Sequence, residues 1–110
     1  MADKHMHDAA VEFVSAVKQS KEYMEYEMQL TKMKMQPELY EKVNEFRQKN
    51  FVIQNTEDSE KLMDRMEELD REYEELRSIP LVEDFLEAET AFCRLMQEVN
   101  MFVTKELNFQ

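Results

Sequence analysis

The stretch FLEAETAFCRLMQEVNMFV, residues 85–103, decides the fold. Its nineteen residues hold three phenylalanines, two methionines, two leucines, two valines and a cysteine, inside a 110-residue chain of formal charge −11. Two apolar lines run through it and its flanks. Leu81, Phe85, Ala88, Phe92, Leu95, Val99 and Phe102 step by four and three. Beside them lie Val82, Leu86, Glu89, Cys93, Met96, Asn100, Val103 and Leu107, with only Glu89 and Asn100 polar. Neighbouring helix positions differ by about 100°, so the two lines cover more than half the circumference. The spacing predicts a helix from about Pro80 to Leu107, buried on two sides. At ~1.5 Å per residue it spans ~42 Å, against a radius of gyration of ~13 Å for a compact chain of this size. Such a helix overhangs a compact monomer and exposes valine, phenylalanine and leucine at its end. A second chain is expected to cover the overhang.

Three further helices are read upstream. "RSIP" breaks the chain before Pro80. A helix capped by Thr56 precedes it, with the stripe Leu62, Met66, Leu69, Tyr73 and Leu76. Glu57 and Asp58 suit its positive end, and Glu57 with Lys61 and Glu67 with Arg71 are candidate i, i+4 ion pairs. Another helix starts at Pro37, where a missing N–H is no loss, and carries Leu39, Val43 and Phe46 with Tyr40 beside them. Asn50 and Asn55 are candidates for its C-terminal end, and "FVIQN" either continues or breaks it. The first helix runs from about Asp8 to Met35, with a main stripe of Ala10, Phe13, Val17, Met24, Met28 and Met35. Its later half carries a second stripe: Tyr23, Tyr26, Leu30 and Met33. The expectation is an all-α fold, an elongated dimeric bundle of about four helices with long first and last helices. Residues 1–7 are read as a flexible N-terminal tail and 8–110 as a single helical domain.

Composition agrees with helix. Glycine is absent, proline occurs only at positions 37 and 80, and there are ten methionines. Without glycine, tight hairpin turns lose the residue that best tolerates positive φ. The single cysteine, Cys93, cannot form an internal disulfide, which points to a reducing cytoplasm. No secretory signal and no apolar run of the ~18–20 residues needed to cross a bilayer is visible, so no membrane insertion is expected. Residues 57–77 hold ten acids and four bases, −6 of the total −11, while residues 1–56 are nearly balanced. An acidic field repels phosphate backbones, so direct nucleic-acid binding is not expected. The acidic run reads as a solvated helix face.

The inventory for catalysis is poor. His5 and His7 are the only histidines, no Glu-x-x-His pair exists for a di-iron bundle site, and no glycine-rich phosphate loop is possible. Cys93, between Phe92 and Arg94 in an apolar helix, is expected to be a buried structural thiol rather than a nucleophile. No enzyme, cofactor or metal site is expected. The candidate interface comprises Tyr23, Tyr26, Leu30 and Met33 on the first helix, with Phe92, Met96, Asn100 and Val103 on the last. The first four either pack on the second helix or across a dimer, or form an exposed patch that receives a partner. Asn100 interrupts its stripe as a register-fixing polar residue does in coiled coils.

Three segments, AVKQSKEYMEYEMQLTKM (16–33), QPELYEKVNEFRQKN (36–50) and IPLVEDFLEAETAFCRLMQEVNMFVTKEL (79–107), resemble the YlbF/YmcA family of small helical bacterial regulators. The likeness lies in order and spacing. Ser20 and Tyr23 form a Ser-x-x-Tyr step, a Pro-Glu step leads to Phe46, and a proline-started last helix carries Ala88, Glu89 and the Glu98-Val99-Asn100 end. The resemblance implies a non-enzymatic homodimer acting in a regulatory complex with a protein partner. It also implies roles in competence, sporulation and biofilm formation, through help to an endoribonuclease that processes messenger RNA. Some members carry further cysteines that help hold iron–sulfur clusters; this chain departs from them with Cys93 alone. The alternative from composition is a structural or chaperone-like helical protein, its methionine-rich face adapting to varied targets.

Overall fold

A computed structural model describes residues 3–108, and these contain six helices and no strand. They are α1 (Lys4–Lys18), α2 (Lys21–Lys34), α3 (Pro37–Thr56), α4 (Ser59–Glu72), the single turn α5 (Glu74–Arg77) and α6 (Pro80–Glu106). The all-α reading holds, but two of the four expected helices are each broken in two. The first helix starts at Lys4 rather than Asp8, so His5 and His7 are helical. Asp3 caps it, its carboxylate accepting from the His5 N–H at 2.9 Å.

The break between α1 and α2 has a local cause. Ser20 Oγ donates to the Val17 carbonyl at 2.6 Å and accepts from the Tyr23 N–H at 3.1 Å. One hydroxyl thus satisfies a last carbonyl of α1 and an early N–H of α2. Serine competes for backbone groups in this way, which makes it a poor interior residue and a good cap. Further on, "FVIQN" continues α3, burying Ile53, and Thr56 is its last residue rather than a cap. The Thr56 hydroxyl donates back to the Val52 carbonyl at 2.6 Å. Asp58 caps α4 instead, accepting from the Lys61 N–H at 3.1 Å. Asn50 and Asn55 lie inside α3. Asparagine does take the glycine role elsewhere: Asn108, just past α6, has φ 53°, the one positive φ among the described residues.

The chain divides into two compact units, Met1–Gln29 with Leu86–Gln110, and Leu30–Phe85. The divisions fall inside α2 and α6. Leu30–Phe85 holds most of the buried side chains: Met33, Val43, Phe46, Ile53, Leu69, Val82 and Phe85. Its α3 and α4 lie against each other. The Phe85 ring is fully buried, with the Tyr40 ring edge-on at 6.4 Å and the Arg47 guanidinium over it at 5.3 Å. Phe46 meets Tyr73 at 5.3 Å, under the Arg77 guanidinium at 5.7 Å. The stripes read for α3 and α4 are therefore the ones buried.

The other unit has little interior. Among its described residues only Gln29 and Ala88 are buried, and α1 buries none. The Phe92 ring, half-buried, lies 5.4 Å from Tyr23 and 5.6 Å from Tyr26. The main stripe expected in the core is here mostly at the surface. Of the stripe assigned to the core, Phe13, Met24, Met28 and Met35 are exposed, while Ala10 and Val17 are half-buried. The second stripe, left open between packing and an exposed patch, turns inward: Met33 is fully buried, and Tyr23, Tyr26 and Leu30 are half-buried. A single stripe needs one unbroken helix; α1 ends at Lys18 and α2 starts at Lys21, so the phase of α1 does not carry into α2.

Candidate interaction surface

Two surfaces stand out, one on each unit. On the first, α1 presents a shallow groove of about 470 Å³ lined by His7, Ala10, Val11, Val14, Ser15 and Lys18. Helix α2 presents Met24 and Met28, 56% and 46% exposed, on the side opposite its inward residues Tyr26 and Met33. The end of α6 adds Phe102 and Val103, with Leu107 just beyond it, all exposed, as the length of that helix predicted. Buried and half-buried positions along α6 give way to exposed ones toward its C-terminus: Val82 and Phe85 are fully buried, Leu95 and Val99 half-buried, Phe102 64% exposed.

The eight candidate residues are spread between interior and surface. Met33 is fully buried within Leu30–Phe85 and cannot be touched by a partner in this conformation. Tyr23, Tyr26 and Phe92 form one aromatic cluster, and Met96 and Leu30 are half-buried. Asn100 and Val103 are exposed. Burial pushes the Tyr23 phenol up from its ordinary pKa, and the negative charge and hydrogen bond of Glu27 add to the shift. Cys93 corrects an expectation: it is exposed, not buried. It sits on the second line of α6 with Asn100 and Val103, which faces outward at these three positions. Val11 and Val14 were missed, because they lie off the stripe that periodicity singled out. The same sequence held a usable signal in Ser20, whose capping role separates α1 from α2.

The second surface is a groove of about 610 Å³ between α3 and α4. Val52, Ile53 and Leu69 supply its apolar part, with Glu45, Lys49, Arg65, Glu68 and Glu72 around them. Lys49 Nζ donates to Glu72 Oε1 at 3.3 Å and lies 5.0 Å from the centre of the Tyr73 ring. Hydrogen bonds to Tyr73 and then Glu72 hold its ammonium above the ordinary lysine pKa. Arg65 reaches Glu57 at 3.4 Å and Glu68 at 3.7 Å. Among the described residues, Glu57 therefore pairs with Arg65 rather than Lys61, and Glu67 and Arg71 form no ion pair with each other. Among the described residues no group of three or more His, Cys, Asp or Glu side chains is placed to hold a metal ion. No helix among them is long and apolar enough to cross a membrane. These surfaces offer apolar area and fixed charge, which suits docking.

The sequence model described as control of competence regulator ComK, YlbF/YmcA, matches residues 6–108. The chain belongs to the YlbF/YmcA family. The match runs from α1 through the end of α6, so it takes in both units and all six helices. No curated protein and no solved structure matches the chain. Membership of the YlbF/YmcA family makes this a regulator by kinship, and the surfaces above are where its contacts can be sought.

Proposed function

We propose that this YlbF/YmcA chain is a non-enzymatic adaptor, a cytoplasmic homodimer that joins a protein partner in a regulatory complex. Following the family, that complex assists endoribonuclease-dependent processing of messenger RNA, with competence, sporulation and biofilm formation as its outputs. One observation carries the reading: α1 buries no side chain, although Val11, Phe13 and Val14 are exposed on it. Contiguous apolar surface on a water-soluble chain marks an interaction site. In the dimer, a second copy covers α1 and the outward line of α6 at Cys93, Asn100 and Val103. Charge supports a second copy there. Lys4–Lys18 holds two acids and two bases, so two such helices meet without the repulsion that the −11 chain meets elsewhere.

The test is mass and company. Light scattering at micromolar concentration is expected to give twice the chain mass, and affinity purification from the native host one discrete complex of fixed stoichiometry. A monomer mass together with no stable partner overturns the reading. The exposed pair Met24 and Met28 favours a second possibility, a chaperone-like grip on varied targets. Many weakly held clients in the same purification, with no fixed stoichiometry, select it.

A further inference from the structure

We propose that the groove between α3 and α4 receives a basic amphipathic helix from the partner protein. Three features of the groove point to this occupant. Its middle is apolar and reachable: Val52 is 49% exposed and lies beside Ile53 and Leu69. Its charge is unbalanced. Four carboxylates, Glu45, Glu57, Glu68 and Glu72, line it or pair with its residues, against the two bases Lys49 and Arg65. Lys49 is taken by Glu72, and Arg65 is shared between Glu57 and Glu68. That leaves Glu45 without an ion pair among the described residues.

The surrounding charge has the same sign. Residues 57–77 carry ten acids to four bases, and Glu60, Asp64 and Glu67 on α4 also form no ion pair among the described residues. A second copy would bring the same excess of carboxylates to the groove, and like charges set against each other cost several kcal/mol. A helix with leucine-like residues at i, i+3, i+4 and i+7 fills the apolar strip, and its lysines and arginines meet Glu45, Glu68 and Glu72, the carboxylates that line it. Such a site also gains in association rate from the acidic field.

This proposal rests on the adaptor reading, since it names the surface that reading leaves open. The probe is a fluorescent synthetic peptide, helical and amphipathic, with lysine and arginine on its polar face. Its counterpart carries glutamate at those positions. Anisotropy is expected to show binding of the basic peptide that weakens steeply with salt, and none of the acidic one. The variant Glu45→Lys with Glu68→Lys is expected to lose at least ~10-fold in affinity. Glu87→Lys with Glu98→Lys, both exposed on α6 away from the outward line of Cys93, Asn100 and Val103, makes the same change in net charge outside the groove, and is expected to keep binding. Val52→Ser tests the apolar strip without altering charge, and each variant is checked for an unchanged melting temperature. Equal loss in both charge variants, or in neither, overturns the groove. If the host complex still forms with the groove variant, the adaptor reading stands and the groove falls. If no host complex forms with the unaltered chain while the peptide still discriminates, the adaptor reading falls alone.

Discussion

Ser20 shows how much one hydroxyl decides. It closes α1 and opens α2 through two hydrogen bonds, of 2.6 and 3.1 Å. Ser20→Ala is expected to destabilise the chain by about 1 kcal/mol, the usual worth of an N-cap. Urea unfolding checks it: the midpoint falls while the slope stays constant. The Ser-x-x-Tyr step is visible in the sequence, but a helix interrupted for two residues leaves little trace in hydrophobic periodicity. Thr56 and Asp58 make a similar case. Both residue types cap helices, and only the backbone path assigns the role to Asp58, because α3 carries on far enough to absorb Thr56. Methionines 24 and 33 give a sharper contrast. Met33→Glu places a carboxylate where the side chain is fully buried and is expected to unfold the chain. Met24→Glu is expected to leave the melting temperature nearly unchanged, since that position is already in water.

Among the elements, the bounds of α6 were legible, though not the exposure of its second line at Cys93, Asn100 and Val103, and α2 was legible only in outline. Pro80 starts α6, Asn108 takes the turn after it, and between them lie one unbroken apolar line and a second interrupted only at Glu89 and Asn100; each is a local signal. The stripes of α3 and α4 were legible for the same reason, one apolar face against one polar face. Helix α2 has apolar residues on opposite sides, Tyr26 and Met33 against Met24 and Met28. Which side turns inward is settled by the neighbours it meets, Phe92 of α6 among them, and periodicity cannot rank two apolar faces. The same division of burial grades the phenylalanines of α6. Phe85→Ala, at a fully buried ring held by Tyr40 and Arg47, is expected to cost ~3–5 kcal/mol. Phe92→Ala removes a half-buried ring and is expected to cost about 2 kcal/mol, by partial loss of the same burial. Chemical denaturation of the two variants side by side tests the ranking.

On the scale of the whole molecule, the buried side chains gather in Leu30–Phe85 while the other unit keeps its apolar residues at the surface. Cys93 reports on that surface. As an exposed thiol it is expected to react rapidly with a thiol reagent in dilute solution. If a second copy covers the outward line of α6, labelling slows as protein concentration rises through the dimerisation range. A rate independent of concentration places the dimer contact elsewhere.

Helix α1 carries a consequence for the lifetime of the chain. A helix that buries no side chain opens locally at little free-energy cost, and a protease cuts what opens. In a limited digest of dilute protein, the first cuts are expected within residues 4–18, well before any in α3 or α4. Raising the protein concentration delays those cuts if a second copy seats on α1. Unassembled subunits would then be short-lived and assembled ones persistent, so the amount of regulator in the cell would follow the amount of complex rather than the rate of synthesis.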